Sequence, residues 1–256
     1  MEFPTTLEAV YARIDAFDPA HYARSRNFLN GGVSYLSPYL SRGFITVPQV
    51  VARLKERGIG MEQAEKFIQE LAWREFYTRT WFQKGDAIFS DIRHPQEGVL
   101  YQGIPAAVLE AETGIRSLDT FLATFPLRGY LHNHLRMYTA SIACNIANAH
   151  WKAPASWLYY HLLDGDLASN SLSWQWVAGC GADPAPYFRI FNPVTQGEKF
   201  DPKGEYTRRF VPELAHMRDD EIHAPHEKGL SPPSYPLPII SQGAARDRAM
   251  AAWSAC

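Results

Sequence analysis

Cysteine is scarce in this chain of 256 residues, and the three cysteines are far apart. Cys144, Cys180 and Cys256 form no C-x-x-C pair and are odd in number. Neither a disulfide framework nor a zinc site is therefore indicated. The pattern predicts a protein of the reducing cytoplasm.

Several familiar sequence signals are also missing. No apolar run approaches about 18 residues, and no basic region followed by an apolar stretch comes after Met1, so we expect no membrane span and no secretion signal. There is no G-x-G-x-x-G, no G-x-x-x-x-G-K-[ST], no H-E-x-x-H and no alternation of strands with helices. These absences predict a mainly helical, all-α fold.

The chain has no large excess of charge of either sign. Its net charge is −2, which argues against a protein that coats nucleic acid through bulk charge, so any DNA contact must be a local basic patch. Aromatic residues make up 13% of the chain. They could fill a core or stack on rings, and composition leaves both open.

Apolar residues at spacings of three and four predict most of the elements. In the first helix Leu7, Val10, Ile14 and Phe17 share a stripe, after Thr5 or Thr6 as cap. Residues 83–115 read as a loop. We predict a helical domain at 1–222 and a Pro-rich tail at 223–256, with a candidate short helix at 243–255. The other predicted helices are 62–82, about 105–112, Ser117 to a stop at Pro126 and Gly129, about 130–149, 155–163 and 203–214.

Polar side chains and tryptophans share the stretch 164–202, which is broken by glycines and prolines. Asp164 and Asp166 flank a glycine that permits a tight turn, and Asn170 offers an amide. Trp174 and Trp176 lie two residues apart. Such a lining suits a large, flat, polar ligand.

This stretch carries a resemblance to a known family. The run DGDLASNSLSWQW, followed by DPAPYFRIFNPVTQGEKFD, resembles the flavin-binding core of photolyases and cryptochromes, closest to the photolyases of cyclobutane pyrimidine dimers. The resemblance covers residues 3–215 and implies a helical FAD-binding domain without the α/β antenna domain. It places Asn170 opposite flavin N5.

Further flavin contacts are implied at the segment around Ser34-Tyr-Leu-Ser-Pro-Tyr-Leu. Taken alone, this motif is better explained as an ordinary capped turn. It resembles the family's phosphate-binding segment, although Val33 and Tyr35 stand where repair members usually carry threonine and arginine. The implied FAD contacts are Tyr22, Ser34, Leu36, Ser37, Arg136, Asp164, Asp166 and Asn170.

Two more segments resemble the part of the family that faces damaged DNA. They are ELAWREFY and GYLHNHLRM, the latter with Tyr130 for tryptophan and His134 for arginine. Glu70 would bond the lesion as a protonated acid, which an apolar aromatic pocket would favour. Without the resemblance, a solvated Glu–Arg pair beside a half-buried tryptophan is the better explanation. The implied lesion contacts are Glu70, Trp73, Asn133, Met137 and Trp176, and the implied DNA-facing residues are Arg26, Arg74, His134 and Gln196.

Trp174 and Trp151 match the inner two tryptophans of the family's electron-transfer chain. The outer tryptophan is not visible, and Tyr101 lies near its expected place. His132 and His134 could suggest a metal, but residues two apart diverge on a helix, so we expect none.

The resemblance implies light-driven repair of cyclobutane pyrimidine dimers by an electron from reduced FAD, in single-stranded DNA first. A blue-light photoreceptor or redox flavoprotein would use the same pocket, with an output through a partner. A helical scaffold without flavin is the third hypothesis. An unknown protein partner could replace the antenna domain.

Overall fold

The fold of the described residues is built from helices. The computed structural model describes residues 3–181, 192–235, 237 and 243, and within them the only extended pairing is an isolated parallel bridge between Tyr101 and Ala149. The predicted all-α class is confirmed. The helices are α1 (Leu7–Ala16), α2 (Pro19–Ser25), α3 (Ser37–Ser41), α4 (Val47–Glu56), α5 (Glu65–Lys84), α6 (Ala106–Leu109), α7 (Arg116–Arg128), α8 (Asn133–Ser141), α9 (Lys152–His161), α10 (Leu167–Ala178), α11 (Pro193–Phe200) and α12 (Glu205–Phe210).

Helices α1 to α5 enclose a first apolar cluster. The Thr6 side chain caps α1, and Val10 and Ile14 are fully buried, as their spacing predicts. Leu7 is 52% exposed, so its predicted place on the buried stripe is wrong. It lies in the first turn, at the edge of the helix contact. The cluster comprises Val10, Ile14, Phe17, Tyr22, Leu36, Tyr39, Ile45, Val50, Leu54, Ala64, Phe67 and Leu71.

A second apolar cluster lies among α7, α8, α9 and α10. Helix α7 continues through Pro126 and ends at Gly129, whose φ is +64°, so the predicted stop at Pro126 is wrong. The helix can contain Pro126 because this residue lies only three positions before the helix ends at Gly129. Ser117 is not the cap either. Asp119 instead accepts the Thr113 N–H and hydroxyl and holds the chain that enters the helix.

The helix predicted at 130–149 is shorter and irregular. It begins at Asn133, after His132 accepts the His134 N–H, and passes at Ile142 into a wide π turn that ends at Ile146. The chain then pairs with the loop near Tyr101, whose carbonyl accepts the His150 N–H at 2.9 Å. The π turn therefore places residues 149–151 against the 83–115 loop.

Polar contacts join the two clusters. Ser41 Oγ donates to the Asp164 carbonyl at 3.0 Å, and the Arg42 guanidinium donates to the Leu162 and Leu163 carbonyls. Helix α10 follows this segment and packs against α5, α8 and α9. The turn before α10 therefore lies where both halves of the fold meet.

The C-terminal part forms a small third cluster. Val211, Leu214, Met217 and Ile222 are its buried members, and Leu230 and Tyr235 pack against them. The helix predicted at 203–214 is present as α12 and a 3₁₀ turn at Pro212–Leu214. The division of the chain at residue 222 stays a prediction, and the candidate helix at 243–255 lies outside the described residues except for Gly243. Among the helices described, none is both long and apolar enough to span a lipid bilayer.

Candidate functional site

The turn before α10 holds a buried carboxylate. Asp164 has a side chain only 3% exposed, and its two oxygens accept from Arg136 Nη2 at 2.9 and 2.8 Å. Arg136 is itself fixed by donating from Nε to the Leu131 carbonyl at 2.7 Å. A buried charge needs such a partner, because desolvation of a lone carboxylate is costly. Two predicted flavin contacts are thus held in one rigid pair.

Asp166 is held just as firmly, one residue beyond the glycine. Its Oδ1 accepts the Ser169 N–H at 2.8 Å and so caps α10, while its Oδ2 accepts from Arg74 Nη2 at 2.8 Å. Arg74 also donates to Ser41 Oγ at 3.3 Å. Arg74 was expected to face DNA, but its hydrogen bonds go to this turn. Its contact with DNA stays a prediction.

The first turn of α10 has polar groups that fit a flavin. Asn170 donates from Nδ2 to the Ala155 carbonyl at 2.9 Å, which fixes the orientation of its amide. Ser169 Oγ is buried and has no hydrogen-bond partner among the residues that the structure describes. A buried hydroxyl without a partner is costly, and a polar ligand would satisfy it. The site thus combines carboxylates paired with arginines, an oriented amide and a hydroxyl without a partner among the described residues. Such groups suit a large polar cofactor.

The segment Ser34–Ser37 leads into α3 through an unusual backbone. Tyr35 has φ +53°, a left-handed conformation that is uncommon outside glycine, and Ser34 Oγ accepts the Leu36 N–H at 3.4 Å. Leu36 is 1% exposed and belongs to the first cluster. Ser34 and Ser37 are half-buried on either side of Leu36. Their contact with flavin phosphates stays a prediction.

Two residues that depart from the family pattern contact each other. The Tyr35 and Tyr130 rings have centroids 5.5 Å apart, and the Arg136 guanidinium lies 5.6 Å from the Tyr130 ring centre. Burial raises the pKa of Tyr130 well above its usual value. The two replacements therefore form one aromatic contact beside Arg136, and neither is an isolated loss.

Glu70 is paired where the sequence suggested an apolar pocket. Arg26 Nη1 lies 2.8 Å from Glu70 Oε1, and the Glu70 side chain is 36% exposed. Arg26 also donates to the Tyr22 hydroxyl at 3.5 Å, and burial raises the pKa of that tyrosine. The expected apolar surrounding of Glu70 is thus wrong. A bond donated by a protonated Glu70 would give up the charge that holds this ion pair.

The remaining lesion-facing residues lie on three helices that meet at α10. Trp73 on α5 is 45% exposed and contacts the rings of Phe76 and Tyr77. Asn133 Nδ2 lies 3.7 Å from Met137 Sδ, so the predicted pair on α8 is in contact. Trp176 on α10 is half-buried against the second cluster. Their joint contact with a lesion stays a prediction.

His134 does not lie on an open DNA-facing surface. Only 7% of it is exposed, and its ring packs against Tyr138 and Phe200 at 4.9 and 5.0 Å between centroids. Its contact with DNA stays a prediction, which the aromatic rings around His134 do not favour. Gln196 is half-buried on α11. The intervening motif Pro-Tyr-Phe-Arg-Ile-Phe at 186–191 lies outside the described residues.

Both predicted electron-transfer tryptophans are buried in the second cluster. Trp174 is 3% exposed and Trp151 is 1% exposed. The Tyr101 backbone pairs beside Trp151, and its side chain is 38% exposed. Sequence analysis missed Asp91, whose Oδ1 accepts from Trp151 Nε1 at 2.6 Å. It lies in the 83–115 loop, where no periodic pattern marks any residue.

Comparisons with known proteins agree with this geometry. A family model described as the FAD binding domain of DNA photolyase matches residues 67–255. The chain is 36% identical over 249 residues to a deoxyribodipyrimidine photo-lyase from Agrobacterium fabrum, covering 91% of this chain and 52% of the relative. It thus spans about half the length of the curated relatives it matches.

Solved structures show the same likeness. A bacterial class III photolyase from Agrobacterium tumefaciens matches with a TM-score of 0.76 and 33% identity, over 97% of this chain and 55% of that one. A cryptochrome from Synechocystis matches with a TM-score of 0.80 and 25% identity, over 98% and 56%. The expected cofactor is FAD, as the matched family implies. The chain belongs to the family of FAD-binding domains of DNA photolyases.

Proposed function

We propose that this chain repairs cyclobutane pyrimidine dimers in DNA with light and reduced FAD. One observation carries the proposal. On a single turn of α5, Arg74 bonds Asp166 of the flavin turn, while Glu70 and Trp73 are partly exposed beside it. The proposed cofactor side, at Arg74, and the exposed aromatic face, at Glu70 and Trp73, therefore lie within one turn of α5. Curated relatives of this chain are named deoxyribodipyrimidine photo-lyases.

Each part of the site has a task in this reaction. Bound FAD supplies the light-driven electron that the dimer requires. Arg136, Asp164, Asp166 and Asn170 hold and orient the cofactor, with their charges already paired. Trp73 and Trp176 offer aromatic faces to a base taken out of its stack, and such stacking is worth about 1–3 kcal/mol per base.

Single-stranded DNA is the preferred substrate in this proposal. Flipping a dimer from a duplex costs a few kcal/mol. Phosphate contacts would have to offset this cost, but Arg26 and Arg74 are engaged with Glu70 and Asp166, and the net charge is −2. We expect weaker and strongly salt-dependent repair of duplex DNA, because phosphate contacts weaken with salt.

The proposed setting is the cytoplasm, with an unidentified protein partner.

A blue-light photoreceptor or redox flavoprotein is the second candidate. The observation that favours it is the Arg26–Glu70 pair, which occupies the carboxylate that a lesion would need. The solved Synechocystis cryptochrome matches this fold as well as the photolyase does. In this case FAD would bind at the Asp164–Asp166 turn in the same way, and the Arg26–Glu70 pair on the neighbouring face would stay formed.

The decisive experiment uses the purified chain loaded with chemically reduced FAD at low salt. A single-stranded oligonucleotide with one thymine dimer is illuminated with blue light, and restored thymines are counted against a dark sample. We expect light-dependent repair that Trp73→Ala lowers strongly. Phe82→Ala removes another aromatic ring from the same helix, 81% exposed, and should have no effect. An intact dimer under these conditions would replace repair with the photoreceptor function.

A further inference from the structure

The buried Trp151 has a direct link to a carboxylate. Its indole Nε1 donates to Asp91 Oδ1 at 2.6 Å, a short distance for such a bond, while 1% of the residue is exposed. Asp91 comes from the irregular loop, 60 residues away in sequence. An indole N–H can be satisfied by any acceptor, so the bond from Trp151 does not by itself require a carboxylate.

Further donors hold Asp91 in position. Its Oδ2 accepts the Gln96 N–H at 2.7 Å, and His150 Nε2 lies 3.2 Å from Oδ1. The Lys152 N–H donates to His150 Nδ1 at 3.3 Å, which orients the His150 ring beside Asp91. Hydrogen bonds from Gln96 and Trp151 therefore fix the carboxylate, with the His150 ring next to it.

The charge state of Asp91 suits a proton acceptor. Burial raises its pKa, but the hydrogen bonds from Gln96 and Trp151, with smaller effects of the Cys180 thiol and His150, hold the pKa below its usual value. Asp91 is therefore ionised at neutral pH. The Cys180 thiol also interacts with Asp91, and burial raises the pKa values of Cys180 and of Cys144 beside it, so both thiols stay neutral.

We propose that Asp91 takes the indole proton of Trp151 when Trp151 is oxidised during light-driven reduction of the flavin. This rests on the proposed electron route through Trp174 and Trp151. Trp174 gives one electron to the photoexcited oxidised flavin, and Trp151 then gives one electron to Trp174. The Nε1–H bond of Trp151 breaks as an Oδ1–H bond forms on Asp91. The products are a neutral Trp151 radical, a neutral Asp91 acid and a flavin with one more electron.

Loss of the proton keeps Trp151 in its oxidised state. An oxidised indole is a far stronger acid than a neutral one, and the acceptor is already bonded to the proton that leaves. Return of the electron then requires return of the proton, which slows recombination. The longer life of the oxidised Trp151 leaves time for an external reductant to act. Asp91 holds the proton during this time, and the external reductant supplies the electron.

Laser-flash spectroscopy of the chain loaded with oxidised FAD tests the proposal. Neutral and cationic tryptophan radicals have different visible spectra. We expect a neutral radical in the wild type, formed more slowly in D₂O. Asp91→Asn keeps an acceptor oxygen but should leave a cation that recombines on the order of tenfold faster or more. Asp91→Glu should restore the neutral radical, and Trp151→Phe should abolish it.

Asp119→Asn is the matched control, because Asp119 also accepts hydrogen bonds but lies on α7 against Thr113. It should behave as the wild type. A wild-type radical that stays cationic, a neutral radical unchanged in Asp91→Asn, or no tryptophan radical at all would overturn the proposal. Flavin content and circular dichroism show whether each variant folds.

Two further measurements keep this proposal apart from repair. In the flavin-free wild type, the Trp151 indole proton should resonate far downfield in NMR spectra, and Asp91→Asn should lose this shift. A wild-type resonance at an ordinary position would also overturn the proposal. Repair by pre-reduced enzyme does not use the Trp151 route, so its failure counts against the proposed function alone.

Discussion

The Asp164–Asp166 turn is bound by Arg74 of α5, and the Glu70–Trp73 face lies on the same turn of that helix, but the two regions differ in burial. In the turn, each carboxylate is bound to an arginine, and the Asp164 side chain is 3% exposed. On the face, Trp73 is 45% exposed, and the side chains of the Arg26–Glu70 ion pair are 26% and 36% exposed. The carboxylates of the turn are thus more deeply buried than Glu70.

This difference has an energetic meaning. Breaking a buried ion pair costs about 3–5 kcal/mol, because the remaining charge has no solvent, whereas exposed pairs contribute about 0–1 kcal/mol. The turn can therefore stay rigid around a flavin. The Arg26–Glu70 pair is half-buried, so opening it should cost less than breaking the Arg136–Asp164 pair. Under the proposed function, the cofactor side would stay rigid while the substrate side adapts.

The largest effect is expected for Asp164→Ala. It leaves Arg136 without its carboxylate partner, so we expect a loss of about 3–5 kcal/mol in the free energy of unfolding and loss of bound FAD. Urea unfolding without and with FAD measures both. Glu75→Ala breaks an exposed pair on α5 with Arg79 and should cost less than about 1 kcal/mol. Equal losses in the two variants would remove the contrast between turn and face.

The second effect concerns pH and the start of α8, the helix that carries Asn133 and Arg136. Burial, with His134 and Arg136 nearby, lowers the pKa of His132 to about 4. The unfolded chain therefore binds this proton first, and folding stability falls as pH drops from about 6.5 to about 4. The contribution lost is about 3 kcal/mol. Protonation would also displace the His134 N–H from Nδ1.

His132→Asn should remove this part of the pH dependence while keeping a capping acceptor. Urea midpoints at pH 7 and pH 4 provide the measurement. His216 is exposed, so His216→Asn should retain the full wild-type slope. The assignment to His132 is untenable if both variants lose stability in acid as the wild type does.

The smallest effect on the fold is expected for Glu70→Ala. Its ion pair is partly solvated, so stability should change by less than about 1 kcal/mol and flavin content should stay the same. The repair yield per absorbed photon should fall by up to about tenfold, the loss of one hydrogen bond to a charged or polar partner. Glu75→Ala on the same helix should leave the yield unchanged. A parallel fall of flavin content and yield would place Glu70 on the cofactor side.

Spacings of three and four residues predicted the features that depend on neighbouring positions in a helix. The buried positions Val10 and Ile14 and the contact of Asn133 with Met137 follow from helical spacing. The resemblance named Arg136 and Asp164, which the structure joins. The predicted stop at Pro126 is wrong, because the helix continues there, and His134 is a buried ring at the position of the family's arginine. In both cases surrounding packing outweighed the local preference.

The sequence by itself determined the helical class and the family, because these follow from local spacing and from an ordered motif, whereas its flavin contacts stay predictions. Only the tertiary structure decided the partners of the charged groups. Arg74 meets Asp166 across 92 residues, Ser41 meets Asp164 across 123, and Trp151 meets Asp91 across 60. A charged side chain in a loop or on a helix face can pair with any opposite charge that packing brings near. Its partner is fixed only when the helices close around one another.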